Sequence, residues 1–299
     1  MASQAVTPPL AGGGRAVRTL PLVGPSVGVL LVWMIVPLAM TLWFSLQRYN
    51  LLSPAEKVFS GLENYKFLLT DPSLFTAMGH TLQLVGAVLV LSVVLGTLFA
   101  ILFDQDFYGQ GVARLFVIAP FFVMPTVSAL IWKNLLMHPE NGLFAFITSS
   151  LGLGVIDWFT NYPLTAIIIV VAWQWVPFAT LILLTAIQSL SGEQVEAARM
   201  DGAKPLSMFW FIILPHLLRP ITVVVMIETI FLLTVFAEIL VTTSGGPGDA
   251  TTTLTYLIYL RALVEWDVGG ASAGGVIAIV LANIVAFFLV RTVARNLDT

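Results

Sequence analysis

Residues 191–205 read Ser191-Gly-Glu-Gln-Val-Glu-Ala-Ala-Arg-Met-Asp-Gly202-Ala-Lys-Pro205. Ser191 and Gln194 have capping-box spacing, so a helix can start here. Glu193 and Glu196 fall in its first turns, where negative charge suits the helix dipole. Gly202 is a natural C-terminal stop. Pro205 sits where a second helix can begin, at a position that needs no amide proton. The expectation is a short helix, a sharp turn and a second helix. Pro215 and Pro220 are expected to break or kink the chain further on. Ala197 and Ala198 give the short helix a small, flat face, which permits close approach by a groove of another protein. The plainer reading is a surface helix that links its two neighbours.

Those neighbours define the class. Of 299 residues, 58% are hydrophobic and 10% charged, against about 25% charged in a soluble domain. Thirteen Lys/Arg and sixteen Asp/Glu cannot solvate a globule of this size, so the chain reads as an integral membrane protein. A net charge of −3 gives no basic surface for nucleic acid. The absence of Cys excludes a disulfide-stapled fold.

A membrane span needs about 20 apolar residues. Stretches without Asp, Glu, Lys or Arg run over 19–47, 72–103, 115–132, 158–192 and 268–290. The stretch 212–240 is equally apolar but carries Arg219, Glu228 and Glu238. The expected architecture is all-α with six transmembrane helices, at about 20–46, 77–103, 115–137, 164–190, 216–240 and 272–291, and a loop at 191–215. Residues 141–156 are uncharged but rich in Gly and Ser, and read as an extramembrane or interface-lying segment. The first span follows Arg15 and Arg18 and is too long for a signal-peptide core, so it reads as an uncleaved anchor. Residues 1–19, with Pro8-Pro9 and Gly12–Gly14, are expected to be a disordered cytoplasmic tail.

Six spans put both termini on one side. If that side is the cytoplasm, Arg15, Arg18, Arg114, Arg199, Lys204, Arg219, Arg291 and Arg295 lie inside. Arg48, Lys57, Lys66, Lys133 and Arg261 then lie outside, in longer loops. The inner density is roughly twice the outer, in the direction of the positive-inside rule.

Glu196-Ala197-Ala198, three residues, Gly202, nine residues, Ile212, then Leu214-Pro215 resembles the EAA-loop pattern without a gap. That pattern marks permease subunits of bacterial binding-protein-dependent ABC importers, which sit in the inner membrane. Asp201 and Ala203 fit its carbohydrate form. Gly61-Leu-Glu-Asn64-Tyr65, Ala129-Leu-Ile-Trp132, Trp173-Gln-Trp-Val-Pro177-Phe178 and Thr243-Ser-Gly-Gly-Pro-Gly248 resemble other family segments. Trp210-Phe211 departs from it, since many relatives carry basic residues there. Met226-Ile-Glu228-Thr-Ile-Phe-Leu-Leu and Phe236-Ala-Glu238 look closest to polyol permeases of the sorbitol/mannitol kind.

The resemblance implies that Glu196, Ala197, Ala198, Asp201 and Gly202 belong to a coupling helix that docks in a cleft of a cytoplasmic ATPase. It implies a dimer of that ATPase, a second homologous permease and a periplasmic solute-binding protein as partners, with lipid around the spans. No cofactor is expected on this chain; ATP is expected on the ATPase. Consistent with that, none of Lys57, Lys66, Lys133 and Lys204 is followed by Ser or Thr, so the chain carries no P-loop.

Four polar or aromatic residues are candidates for the solute path: Glu228, Trp173, Gln174 and Asn283. Each has a structural alternative. Buried amides and carboxyls also glue helices together, and Trp is common at membrane interfaces. Glu238 is expected to snorkel to the outer interface. Gly269, Gly270, Gly274 and Gly275 are expected to pack against the second permease. His80, His138 and His216 are too scattered for a metal site. A stand-alone secondary transporter, with Glu228 as its coupling carboxylate, is the competing function; it usually needs an internal repeat, and none is evident.

Overall fold

The computed structural model describes residues 20–297; the expected tail at 1–19 lies outside them. The elements in chain order are α1 (Leu20–Ser45), α2 (Glu63–Thr70), α3 (Pro72–Asp104), α4 (Gln110–Ile118), α5 (Pro125–Ile131), α6 (Leu143–Ser150), α7 (Trp158–Asn161), α8 (Pro163–Gln188), α9 (Gly192–Met200), α10 (Pro205–Met208), α11 (Leu214–Leu232), α12 (Ala237–Thr242), α13 (Leu254–Tyr259) and α14 (Val268–Leu297). Five helical stretches are long and apolar enough to cross a membrane, and a sixth is possible if one bent pair counts as a span.

The core is the pair α3 and α8. α3 starts where its sequence dictates: the Asp71 carboxylate accepts from the Ser73 amide at 2.9 Å, and Pro72 occupies the first helical position. It begins five residues before the expected 77. The two helices press together at Gly96, where an added Cβ would lie 2.7 Å from Ala179 Cβ and 3.1 Å from the Thr180 amide nitrogen. On the side of that contact away from α9, Leu84, Val88, Ile167, Val171, Leu232 and Ile239 form one apolar cluster. Nearer the end that holds α9, Ala100, Phe103, Leu183, Ile187, Leu217 and Val224 form another. The long first helix packs mainly along α14 and is otherwise exposed.

Two expected straight spans are broken. The third, expected at 115–137, is two helical pieces, 110–122 and 125–136, bent by 112°. Pro125 is the cause: it disfavours helical dihedrals at Met124, which is extended at φ −60° and ψ 140°. The fifth, expected at 216–240, ends at Leu232 and restarts at Ala237. There the Thr234 hydroxyl donates to the Phe231 carbonyl at 2.7 Å, a side-chain bond that competes with the helical ladder. Conversely, Pro215 and Pro220 do not break the chain. The helix runs on from Pro205 to Leu232, through a wide π turn at Phe209–Ile213 that absorbs the amide missing at Pro215. The uncharged stretch 141–156 yields only the short α6, with Phe146 and Leu153 exposed.

The end opposite α9 is laced together. Gln47–Arg48 pairs antiparallel with Val58–Phe59, and Asn50 bridges to Asp267. The glycines of α14 serve this chain itself. A Cβ on Gly269 would run into the Gln47 carbonyl oxygen. Gly270 donates to the Asp267 carboxylate at 3.0 Å. Gly274 and Gly275 face Ile258 and Thr41. Within the chain, these glycines let α14 approach the segment after α1 and α13 closely.

Candidate functional site

The loop between α8 and α11 is built by local rules. α9 buries none of its side chains, and Glu193, Glu196, Ala197 and Arg199 are exposed. The Ser191 hydroxyl makes no capping bond, contrary to the capping-box expectation; the first turn closes instead through the Gln194 amide on the Ser191 carbonyl at 3.1 Å. The other end is as expected. Gly202 is left-handed at φ 78°. Its amide donates to Arg199 O at 3.0 Å, and the Ala203 amide to Ala198 O at 2.9 Å. This pair of bonds is the Schellman closure of a helix. A Cβ on Gly202 would meet nothing within 4 Å, so the glycine is required by its dihedral and not by space. Pro205 then opens α10, with Lys204 extended before it. Trp210 and Phe211 are exposed on the following turn.

Beneath α9 lies a cavity of about 740 Å³, whose walls include Asp104, Gln188, Glu196, Arg199 and Phe209. At the neck of the loop, where α8 ends and α11 begins, His216 Nε2 lies 2.9 Å from the Ala186 carbonyl and 3.2 Å from the Ser189 hydroxyl.

The four residues expected on a solute path are not brought together. Gln174 is buried, and its Nε2 donates to the Val123 carbonyl at 2.9 Å. That carbonyl was freed by the break in the third span, so the amide repairs a broken helix. Trp173 packs edge-on against Trp132, with ring centroids 5.8 Å apart. Asn283 is exposed on α14, beside a separate 390 Å³ cavity with Thr229, Leu233, Thr234 and Thr255.

Glu228 is fully buried in α11. Its oxygens make no well-formed hydrogen bond; Ser92 of α3, itself buried, is the polar group that faces them. α3 and α8 carry no Lys or Arg, and Arg219 is nine residues away, about 13 Å along the axis. Glu238 does not snorkel: it is 5% exposed, in the first turn of α12. The far end of α12 is capped by Lys133, whose ammonium donates to Thr242 O at 2.8 Å and Val241 O at 3.0 Å.

Sequence reasoning did not find the aromatic cluster between the two helix breaks. Trp175 lies 6.0 Å from Phe121 and 5.3 Å from Phe231, centroid to centroid. Phe121 and Phe122 end one broken helix, and Phe231 nearly ends the other. The only signal in the sequence was Trp175 itself, with nothing to name its neighbours.

Spans of this number, some of them broken, with an exposed helix–turn–helix between two of them, describe a multi-pass membrane protein. Residues 92–299 match the family of binding-protein-dependent transport system inner membrane components, and the chain belongs to it. It is 35% identical to the trehalose/maltose transport system permease protein MalF of Thermococcus litoralis, over 91% of this chain and 92% of that one. It is 34% identical to a probable ABC transporter permease protein, y4oQ, of Sinorhizobium fredii, over 83% and 81%. Among solved structures, a bacterial ABC transporter that imports the acidic polysaccharide alginate has the same fold, with a TM-score of 0.77 at 21% identity, covering 93% of this chain and 96% of that one.

Proposed function

We propose that this chain is one of two permeases in an ATP-driven importer that carries a sugar or sugar alcohol from periplasm to cytoplasm. The observation that carries the reading is α9 with its Gly202 closure, formed at the register of the Glu196–Pro215 motif. A short exposed helix with a small-residue face and a fixed exit angle is a lever suited to docking. Its partner is a dimer of cytoplasmic ATPase subunits, which binds and hydrolyses ATP; this chain binds no cofactor. Both termini face the cytoplasm, in a bacterial inner membrane. A periplasmic binding protein delivers the solute to the opposite end. The sugar class is supported by relatives such as the trehalose/maltose transport system permease; a sorbitol- or mannitol-like polyol is the narrower proposal.

The solute path runs past the two broken helices. Irregular backbone is tolerated in a membrane where protein buries it or where it lines a cavity. Trp175, Phe121 and Phe231 give that stretch an aromatic wall, the kind of surface that accepts the apolar face of a ring. Asn283, at its own cavity, is a second polar contact in the proposal. A secondary transporter driven through Glu228 is disfavoured, because that carboxyl opens onto neither of these surfaces.

The test is Gly202→Val in the assembled transporter in proteoliposomes, with solute uptake and ATP hydrolysis measured together. Hydrolysis that continues while uptake falls supports the reading. Uptake per ATP equal to wild type overturns it.

A further inference from the structure

We propose that His216 fastens the neck of the α9 loop, so that a push on α9 reaches α8 and α11 as one body. The proposal rests on the reading of α9 as the ATPase-docking helix.

The chain leaves α8 at Gln188, runs through α9 and α10, and enters α11 at Leu214. Twenty-seven positions separate Ser189 from His216. Without a tie at the neck, force on α9 could splay the two helices at their roots and be lost there. The last carbonyls of α8 lack helical partners. The Ala186 carbonyl, at this end, takes the Ser189 amide at 3.1 Å, the Ser189 hydroxyl at 2.7 Å and His216 Nε2 at 2.9 Å. A bare Nε2 lone pair facing a carbonyl oxygen at that distance would be repelled. The attractive arrangement has the proton on Nε2, donated to Ala186 O. The imidazole of α11 therefore caps α8 across the whole loop.

The tie is placed to act on packing as well. Leu217, the next residue, is fully buried against Leu183, Ile187 and Val224, so the ring is held by its own backbone against the helix it caps. A neighbouring helix end is tied in the same manner: Gln110 donates to Phe103 O at 2.8 Å and Arg114 reaches the same carbonyl, closing α3 from α4.

The experiment uses the complete transporter with its partner permease, ATPase and binding protein in proteoliposomes. It reads solute moved per ATP hydrolysed for His216→Ala, His216→Gln and Gly202→Val. Expected are intact assembly, a fall of about two- to tenfold for His216→Ala, the worth of one hydrogen bond, and recovery in His216→Gln, whose amide nitrogen reaches the position of Nε2. Wild-type stoichiometry in His216→Ala, while Gly202→Val uncouples, overturns the fastener and leaves α9 as the docking helix. Wild-type stoichiometry in Gly202→Val overturns the docking reading itself. If His216→Ala fails to assemble, His216→Asn carries the test. Its shorter amide cannot reach Ala186 O, so it must uncouple if the bond matters, and wild-type coupling in it overturns the proposal.

Discussion

Arg261 and Asp71, 190 positions apart, form an ion pair at 2.6 Å that ties the turn after α13 to the start of α3. The Arg261 side chain is 8% exposed and that of Asp71 23%. Partial burial pushes the Asp71 carboxyl up, but hydrogen bonds from Ser73 and the Arg261 charge outweigh it and hold the group below its ordinary value.

Removing one partner strands the other. Asp71→Asn leaves a buried guanidinium without a counter-ion and is expected to cost about 3 kcal/mol. Arg261→Leu is expected to cost less, since Asp71 keeps its bonds from Ser73. Thermal midpoints in detergent measure the order. The pH dependence has a defined sign. A depressed carboxyl stabilises above its unfolded value and loses that contribution as pH falls through the folded value. Wild type should therefore lose stability on acidification below about pH 4, and Asp71→Asn should lose less there.

Gly202 is needed for its φ of 78° alone. Substitutions should rank by tolerance of the left-handed region: Asn mild, Ala costing about 1 kcal/mol or more, Val worst. Transport per ATP should follow that rank. An order set by side-chain volume, with Asn worse than Ala, would falsify the dihedral explanation.

Gln174→Leu should leave the Val123 carbonyl unpaired inside the protein and cost about 1–3 kcal/mol. The bend between α4 and α5 is where the loss should appear, as faster proteolysis or hydrogen exchange near residues 119–125. Equal protection there in the variant would show that the amide does not hold the break.

At Gly96, alanine places a methyl 2.7 Å from Ala179 Cβ and close to the Thr180 backbone. Gly96→Ala should destabilise by about 1–3 kcal/mol through overpacking. Adding Ala179→Gly should recover part of it, because the nearest clash is with that methyl. No recovery in the double variant would place the strain on the Thr180 backbone instead.

Glu228→Gln keeps the shape and a polar tip toward Ser92, so uptake should stay near wild type; Glu228→Ala should destabilise the contact of α11 with α3. Uptake lost in Glu228→Gln, with assembly intact, would return the carboxyl to the solute path.

The sequence by itself determined whatever depends on hydropathy and local dihedral demand. Gaps between scarce charges marked where helices cross. The Gly202 stop and the Pro205 start followed from a residue that adopts the left-handed backbone without cost and one whose φ is fixed. The motif from Glu196 to Pro215 carried the family. Tertiary structure decided where polar groups find partners. Gln174 meets a carbonyl 51 positions away, Lys133 one 109 away, and Arg261 a carboxylate 190 away. Proline was legible only in part: Pro125 breaks its helix, whereas Pro220 does not. The outcome depends on whether neighbouring helices and wider turns absorb the freed backbone groups, and that is a property of packing. For the same reason Glu238, read as an interface residue, is enclosed: burial is set by the elements that fold over a side chain, and those come from elsewhere in the chain.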